Sequence, residues 1–300
     1  YYANPLWLNP ALTGVIDGNY RLTANFKQQW ANVSNAYITG GASFDMAPKK
    51  NLALGVTVLT QKAGELNFNY LTALASASYR IAFGQEGLHF LSFGLQAGII
   101  HRSFSTADAR FGNQYNPLTG YDPNIGSNES YDNRSALVPD INFGMMYFDG
   151  HQNKTVNPFL GASVAHLNRP VERFLGVEVK TPMRFIAHGG ARVKLNETID
   201  LTPNALLMYQ GNAREYSFGA YAQMWMNPSS TLLFGGNYRM EDAGIAFVGI
   251  QYKNMVFGLS YDINTSRLSN ATRNNGGLEL SVSLIGRNGI IAPNFFCPRL

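Results

Sequence analysis

The feature that most constrains this chain is a repeated alternation of apolar and polar residues along short segments. In residues 18–30, Tyr20, Leu22, Ala24 and Phe26 alternate with polar side chains. Because successive side chains of a β-strand point to opposite faces, this pattern indicates a strand with one apolar and one polar face. The same alternation recurs in residues 51–60, 137–148, 255–263 and 277–285.

About fourteen segments have this strand-like character, an even number that suits a closed antiparallel barrel. They are residues 18–30, 37–46, 51–60, 65–83, 87–104, 137–148, 156–167, 180–194, 198–209, 214–226, 230–240, 243–252, 255–263 and 277–285. Short turns follow the even-numbered segments, whereas several connections after odd-numbered segments are long. Outer-membrane barrels show this asymmetry between periplasmic turns and outer loops. We therefore predict an all-β fold, a transmembrane antiparallel β-barrel of about 14 strands with long extracellular loops.

The composition agrees with a membrane barrel better than with a soluble β-sandwich, which is the alternative. Only 14% of the residues are charged, against roughly 25% in soluble domains. No apolar run approaches the roughly 20 residues of a transmembrane helix. The net charge of +4 is small, and the cationic residues form no basic stripe. Nucleic acid is therefore excluded as an expected partner, and outer-membrane lipid is expected instead.

Two segments depart from the regular alternation. Residues 65–83 change phase near Leu71, which would fit a β-bulge. Pro203 lies inside the strand-like residues 198–209 and cannot donate a ladder hydrogen bond. We expect the second strand to be interrupted or locally unpaired at this proline.

The opening segment YYANPLWLNPALTG is apolar but can form neither a long helix nor a central strand, because it contains Pro5 and Pro10. It lacks the basic region and the cleavage site of a signal peptide, and we interpret it as the start of a mature chain. In an even-stranded barrel both termini lie on the periplasmic side. We predict an extended plug in the lumen mouth, with a disordered leader as the alternative. The plug motif comprises Asn4, Pro5, Leu6, Trp7, Leu8, Asn9, Pro10 and Gly14.

These features divide the chain into three parts. We predict a periplasmic or lumenal plug segment in residues 1–17, an outer-membrane barrel in residues 18–286 and a C-terminal periplasmic tail in residues 287–300. The barrel part includes the long external loop of residues 105–135.

No motif of catalysis or of cofactor binding occurs in the chain. The five histidines, at positions 89, 101, 151, 166 and 188, have no metal-ligand spacing, so we predict neither a metal nor a cofactor. Arg184, Arg192, Lys194 and Asp200 are expected to face the lumen. They either form a salt-bridge network that makes the barrel rigid or line an anion-selective pore.

The external loop of residues 105–135 is the best candidate for a binding surface, since loops of this length usually carry a function. Asp122, Asn124, Glu129 and Asp132 could bind Ca²⁺, but their spacing misses the EF-hand pattern, and a solvated, turn-rich loop is preferred. Cys297 could form a disulfide with a partner or be a buried thiol.

Three motifs resemble the PorP/SprF family of outer-membrane proteins of the type IX secretion and gliding machinery of Bacteroidetes. Residues 1–14 resemble the family's opening QYYANPLYLNPALAG, and the ending CPRL resembles its CPRF. The loop from Asn113 to Glu129 resembles the family's DQYDP loop motif. The matching loop residues are Asn113, Gln114, Tyr115, Pro117, Gly120, Tyr121, Asp122, Pro123 and Glu129, and the matching C-terminal residues are Cys297, Pro298 and Arg299.

The resemblance implies a non-enzymatic component of the outer membrane of a Gram-negative bacterium. Such a component would bind and anchor a secreted adhesin, or another type IX substrate, through the C-terminal signal domain of that protein. It would also contact periplasmic components of the machinery, including a peptidoglycan-associated one. The alternatives are a passive diffusion channel, which needs an open lumen, and an outer-membrane enzyme, for which His101 and Asp108 would be candidate residues.

Overall fold

Fourteen antiparallel strands form a closed barrel in the computed structural model, which describes residues 3–30, 36–64, 68–105, 110–126, 134–174, 176–266, 272 and 275–287. The barrel strands are β1 (Tyr20–Gln29), β2 (Tyr37–Met46), β3 (Leu52–Ala63), β4 (Phe68–Phe83), β5 (His89–Ser103), β8 (Ser135–Asp149), β9 (Val156–Ala165), β12 (Arg184–Lys194), β13 (Ile199–Gln210), β14 (Ala213–Asn227), β15 (Ser230–Arg239), β16 (Ala243–Tyr252), β17 (Met255–Asn264) and β18 (Asn275–Gly286). They confirm the predicted barrel of about 14 strands.

The remaining elements are short and are not strands of the barrel wall. Strands β6 (Tyr115–Asn116) and β7 (Gly120–Tyr121) pair with each other, as do β10 (Val171–Phe174) and β11 (Val177–Lys180). The short elements also include helix α1 (Pro5–Leu8) and two 3₁₀ helices, Pro10–Leu12 and Gly112–Gln114. Among the residues that the structure describes, no helix is long and apolar enough to cross a membrane.

Closure of the sheet depends on the pairing of the first strand with the last. Strand β1 pairs along its full length with β18, from Tyr20 opposite Gly286 to Gln29 opposite Gly277, and it pairs with β2 on its other side. Each barrel strand therefore has a neighbour on both sides. This arrangement satisfies the backbone polar groups without water, as the hydrocarbon core of a bilayer requires.

The alternation in the sequence separates the outer face of the barrel from its lumen. Leu95, Leu137 and Leu160 are exposed on the outer face. Thr57 and Gln96 lie at positions of opposite parity and are buried inside. An apolar outer face around a closed ladder is the arrangement that lipid chains require, and the polar residues are thereby directed inward.

The two ends of the barrel carry different connections. We call one end the turn end; its connections are residues 47–51, 84–88, 150–155, 195–198, 228–229 and 253–254. We call the other the loop end; its connections are residues 30–36, 64–67, 104–134, 166–183, 211–212, 240–242 and 265–274. The described ends of the barrel domain, residues 18 and 287, lie at the turn end, where Asn19 N donates to Gly286 O.

The two predicted irregularities have different outcomes. Strand β4 pairs with β3 and β5 in continuous register, so the predicted bulge near Leu71 is wrong. The hydrophobic pattern gives the impression of a change of phase because the outward positions next to Leu74 carry small alanines, whereas the large apolar Leu74 itself faces inward. Pro203 does interrupt a ladder, because the β12–β13 pairs skip from Asn204 to Leu201, although β13 itself continues past the proline.

A charge placed in the middle of the outer face should destabilise the barrel. Leu160, which is 64% exposed near the centre of β9, is expected to lie in the hydrocarbon core. We expect Leu160→Arg to lower the free energy of unfolding by about 2–4 kcal/mol, measured by urea titration of the barrel in lipid vesicles. Leu195→Arg, in a turn, is the matched control and should change it by less than about 0.5 kcal/mol. Equal effects would contradict the placement of this face in lipid.

Candidate functional site

The first described residues fold into two short helices inside the barrel. Helix α1 begins at Pro5 and the first 3₁₀ helix begins at Pro10, with Asn9 between them. The predicted extended conformation is therefore wrong. Proline favours the first position of a helix, because its fixed φ suits the helix and its missing N–H is not needed there.

Four uncharged side chains of the barrel wall donate hydrogen bonds to backbone carbonyls of this N-terminal segment, which we define as residues 4–17. The bonds are Gln96 Nε2 to Leu6 O (3.2 Å), Ser163 Oγ to Leu8 O (2.9 Å), Ser92 Oγ to Ala11 O (2.9 Å) and Ser78 Oγ to Thr13 O (2.6 Å). A buried carbonyl without a partner is costly. The polar lumen wall thus supplies partners that such short helices cannot supply for themselves.

Asn9 is fully buried and contacts three strands. Its Nδ2 donates to Met145 O of β8 at 3.0 Å and to Ala162 O of β9 at 3.3 Å, and it lies 3.2 Å from His188 Nε2 of β12. Its Oδ1 accepts a hydrogen bond from Ala11 N at 2.9 Å. This single side chain therefore connects the segment to the barrel wall and also caps the second helix.

Apolar side chains of the segment pack into an apolar part of the lumen. The cluster comprises Leu8, Ala11, Leu12 and Val15 of the segment and Phe90, Met146, Phe148, Phe159, Ile186 and Leu206 of the wall. Burying each large side chain contributes roughly 1.5–3 kcal/mol. Trp7 lies outside this cluster, and the guanidinium of Arg184 is 4.2 Å from the centroid of its ring.

Two wall glycines make room for the segment. A Cβ at Gly94 of β5 would overlap the backbone of Pro10, and a Cβ at Gly144 of β8 would overlap Asn9 Oδ1. Sequence reasoning did not find these residues or the wall serines. The available signal was the occurrence of small residues at inward positions of neighbouring strands, such as Gly94, Gly144 and Gly161.

The segment leaves the lumen at the turn end, where charged groups hold it. Gly14 N donates to Asp45 Oδ2 at 2.7 Å, and Arg21 Nη2 donates to Leu12 O at 3.2 Å. Arg21 and Asp45 also form a salt bridge of 3.0 Å. Gly14 has φ of 72°, a left-handed conformation that glycine adopts without strain.

The four lumen charges named in the sequence do not form one group. Arg192 pairs with Asp200 at 3.5 Å, and its Nη2 donates to Asn157 Oδ1 at 2.6 Å. Arg184 contacts Trp7, and Lys194 is exposed at the turn end, because it is the last residue of β12. The pairing of Arg192 supports the network interpretation; anion selectivity stays a hypothesis.

Further ion pairs in the lumen join strands that are distant in sequence. Asp262 of β17 pairs with Lys27 of β1 at 2.9 Å and with Arg239 of β15 at 3.2 Å. At the loop end, Arg102 of β5 pairs with the buried Glu172 of β10 at 3.1 Å. The β10–β11 hairpin is thus attached to the barrel wall, a contact that the sequence did not predict.

The described part of the external loop, residues 110–126, has a defined internal structure. Buried Gln114 donates through Nε2 to Ile125 O at 2.7 Å, and Asn113 Nδ2 donates to Gly126 O at 3.0 Å. The ring of Tyr121 lies 5.7 Å from that of Tyr115 and 4.9 Å from the Arg110 guanidinium.

This folded loop exposes apolar side chains at the loop end. Leu118 is 94% exposed, and Tyr115 and Ile125 are also exposed. Among the matched motif residues, Gly120 has φ of 79°, which suits the tight β6–β7 connection. Pro117 precedes β7 in the sequence, and Pro123 follows it.

Several predicted site residues lie outside the described residues. They are Glu129, the candidate calcium ligand Asp132, the candidate enzyme residue Asp108, and the C-terminal Cys297, Pro298 and Arg299. Asp122 Oδ1 accepts hydrogen bonds from Asn124 N at 2.9 Å and Asn124 Nδ2 at 3.0 Å, which forms an Asx turn. The other candidate enzyme residue, His101, has outward parity on β5.

Solved structures with a similar fold include proteins described as toluene transporters and as a hydrocarbon channel. The toluene transporter TbuX of Ralstonia pickettii has a TM-score of 0.57 and 11% identity, with 95% of this chain and 93% of that chain covered. The CymD monoaromatic hydrocarbon channel has a TM-score of 0.55 and 11% identity over the same shares. The toluene transporter TodX of Pseudomonas putida has a TM-score of 0.52 and 9% identity, with 93% and 92% covered. At these identities the likeness concerns the fold.

Sequence comparison covers nearly the whole chain. The model of a family described as type IX secretion system membrane protein PorP/SprF matches residues 1–284. No curated protein matches the chain in sequence. The family match spans the N-terminal segment, the barrel and the external loop together.

A methyl group added at Gly144, where the wall contacts Asn9, should displace the N-terminal segment. We expect Gly144→Ala to lower the free energy of unfolding by about 1–3 kcal/mol, because the new Cβ overlaps Asn9 Oδ1. Chymotrypsin should then cleave at Trp7. Gly244→Ala is the matched control, because a Cβ there meets open space. Unchanged stability and protease resistance in Gly144→Ala would contradict the described contacts.

Proposed function

Because the chain belongs to the PorP/SprF family of type IX secretion system membrane proteins, we propose that it anchors a secreted adhesin at the cell surface. The barrel and the family place the protein in the outer membrane. In this proposal the loop end faces outward, because long loops of outer-membrane barrels are extracellular. The bound element is the C-terminal domain of the adhesin or of another type IX substrate.

The observation that supports this proposal is the folded, apolar surface of the external loop. Leu118, Tyr115 and Ile125 are exposed on a loop whose backbone is held by Gln114 and Asn113. Exposed apolar side chains on a preorganised loop are typical of protein-binding surfaces, because little conformational entropy is lost on binding. The β10–β11 hairpin, fixed through the Arg102–Glu172 pair, adds exposed residues at the same end.

The turn end is the proposed contact with the periplasmic machinery. Its connections carry four lysines, Lys49, Lys50, Lys154 and Lys253, against two glutamates, Glu86 and Glu197. A surface with an excess of positive charge favours an acidic partner through long-range attraction. We include the peptidoglycan-associated component of the machinery among the candidate partners.

The proposed role requires no chemical step. Arg192–Asp200 and Lys27–Asp262 are acid–base pairs among the described lumen residues. His101 has outward parity on β5, whereas the charged pairs are inside. Binding and release of protein are therefore the proposed activities, with no bound cofactor.

Photocrosslinking from the external loop tests the anchor proposal. We expect a photoreactive residue at position 118 to capture the C-terminal domain of a secreted protein in intact cells, identified by mass spectrometry. The same residue at position 195, exposed at the turn end, is the matched control and should capture periplasmic proteins instead. Identical adducts at both positions, or no secreted protein at position 118, would contradict the proposal.

A diffusion channel is the second candidate function. The proteins TbuX, CymD and TodX are described as transporters or channels, and a similar path would need an open lumen here. Against this, the N-terminal segment lies among wall side chains such as Gln96 and Ser163. We therefore propose that the segment acts as a plug.

Conductance of the barrel separates the plugged anchor from the channel. We expect the whole chain in a planar bilayer to be closed and a variant lacking residues 1–14 to conduct ions, because the segment no longer fills the lumen. Gly144→Ala should give an intermediate, fluctuating conductance. A whole chain that already conducts steadily would favour the channel.

A further inference from the structure

Two histidines and an aspartate that are distant in sequence meet at the turn end. His89 is the first residue of β5, Asp149 is the last residue of β8, and the two lie opposite each other in the ladder. His151 follows two residues later in the turn. One ligand atom from each of the three residues lies within 4.8 Å of the others.

Asp149 is the centre of this cluster. Its side chain is almost fully buried, and its Oδ1 contacts His151 Nδ1 and accepts a hydrogen bond from His151 N at 3.0 Å. Its Oδ2 lies 4.0 Å from His89 Nδ1. Nδ1 of both histidines is therefore on the side of the same carboxylate, and His89 Nδ1 also forms a hydrogen bond of 3.0 Å with the Tyr147 hydroxyl.

The Nε2 atom of His151 and the ring of His89 each have neighbours that orient the imidazole. His151 Nε2 lies 3.3 Å from Glu86 Oε2 in the turn between β4 and β5. The His89 ring stacks on Phe83 and Tyr147, with centroids 5.7 and 6.2 Å away. A carboxylate on the far nitrogen of a histidine is the usual outer support of a metal-binding imidazole, because it fixes the tautomer.

The geometry points to a site for a divalent transition metal, which we propose is held by His89 Nδ1, His151 Nδ1 and the Asp149 carboxylate. In a tetrahedral zinc site with bonds of about 2.0–2.1 Å, ligand atoms lie about 3.3 Å apart. Adjustments of roughly 1 Å in the His89 side chain and in the turn of residues 150–155 would bring these three atoms to that spacing. Two imidazoles with one carboxylate select zinc-like ions over calcium or magnesium.

Two groups compete with a metal for these ligands: the Tyr147 hydroxyl, which holds His89 Nδ1, and the ammonium group of Lys154. Lys154 Nζ lies 3.0 Å from Asp149 Oδ2 and would repel a dication there. Its side chain is 45% exposed and can turn to solvent when the metal binds. The bound metal would join the ends of β5 and β8 to the 150–155 turn, and through Glu86 it would also engage the 84–88 turn. It would thereby stiffen one side of the periplasmic rim.

Metal titration of the whole chain tests the site. The protein is purified with a tag that contains no histidine, stripped with chelator and titrated with Zn²⁺ against a competing dye. Co²⁺ is used to reveal visible ligand-field bands. We expect one equivalent to bind, with tetrahedral Co²⁺ bands. His89→Ala and His151→Ala should each weaken binding at least about tenfold.

Two further variants test whether the metal binds at this cluster and not elsewhere on the protein. Lys154→Gln should strengthen binding several-fold by removing the competing charge, an effect that loss of folding cannot imitate. His101→Ala, at the loop end of β5, is the matched control and should bind as the unmodified chain does. Weak binding that is equal in the unmodified chain and in the His89→Ala/His151→Ala double variant would overturn the proposal, as would unchanged or weaker binding by Lys154→Gln.

Discussion

Every buried backbone N–H and C=O group of this protein must find a partner without help from water. In the bilayer this requirement closes the sheet, because an open edge strand would leave a row of unsatisfied groups in lipid. The pairing of β1 with β18 meets it for the wall. Inside the lumen the N-terminal segment faces the same requirement with helices of only four and three residues. The wall meets it there through Ser78, Ser92, Gln96 and Ser163, whose side chains replace the missing helix turns.

The two faces of the wall are therefore specified by different interactions. The outer face needs only apolar residues, and leucine, isoleucine and phenylalanine satisfy it equally well. On the inner face, by contrast, individual positions require a particular kind of residue. Gly144 must be small because Asn9 lies against it, and Ser163 must carry a donor because Leu8 O points toward it. Phe90 and Phe148 face inward where a simple alternation would place polar residues, because Leu8 and Leu12 pack against them.

This difference explains what the sequence could predict. The alternation depends on a lipid environment that is the same at every strand, so the fourteen strands and the connection lengths followed from the sequence alone. The contacts of Asn9 with Met145, Ala162 and His188 depend on which strands face each other across the lumen, and no local pattern records that. The helical turns that begin at Pro5 and Pro10 do not follow from the prolines alone, because the fixed φ of proline fits an extended chain as well as the first turn of a helix. His89 and Asp149 share a site only through the register of β5 and β8.

The contacts of Asn9 with the barrel wall also bear on the order in which parts of the protein fold. The wall partners of the Asn9 side chain follow it by 136, 153 and 179 residues. Contacts of such separation form late, since long stretches of chain must be ordered first. The N-terminal segment therefore reaches its final position only after β8, β9 and β12 are ordered. Until then the apolar side chains and the carbonyls of the segment, such as those of Leu8, lack the wall partners that they have in the folded barrel.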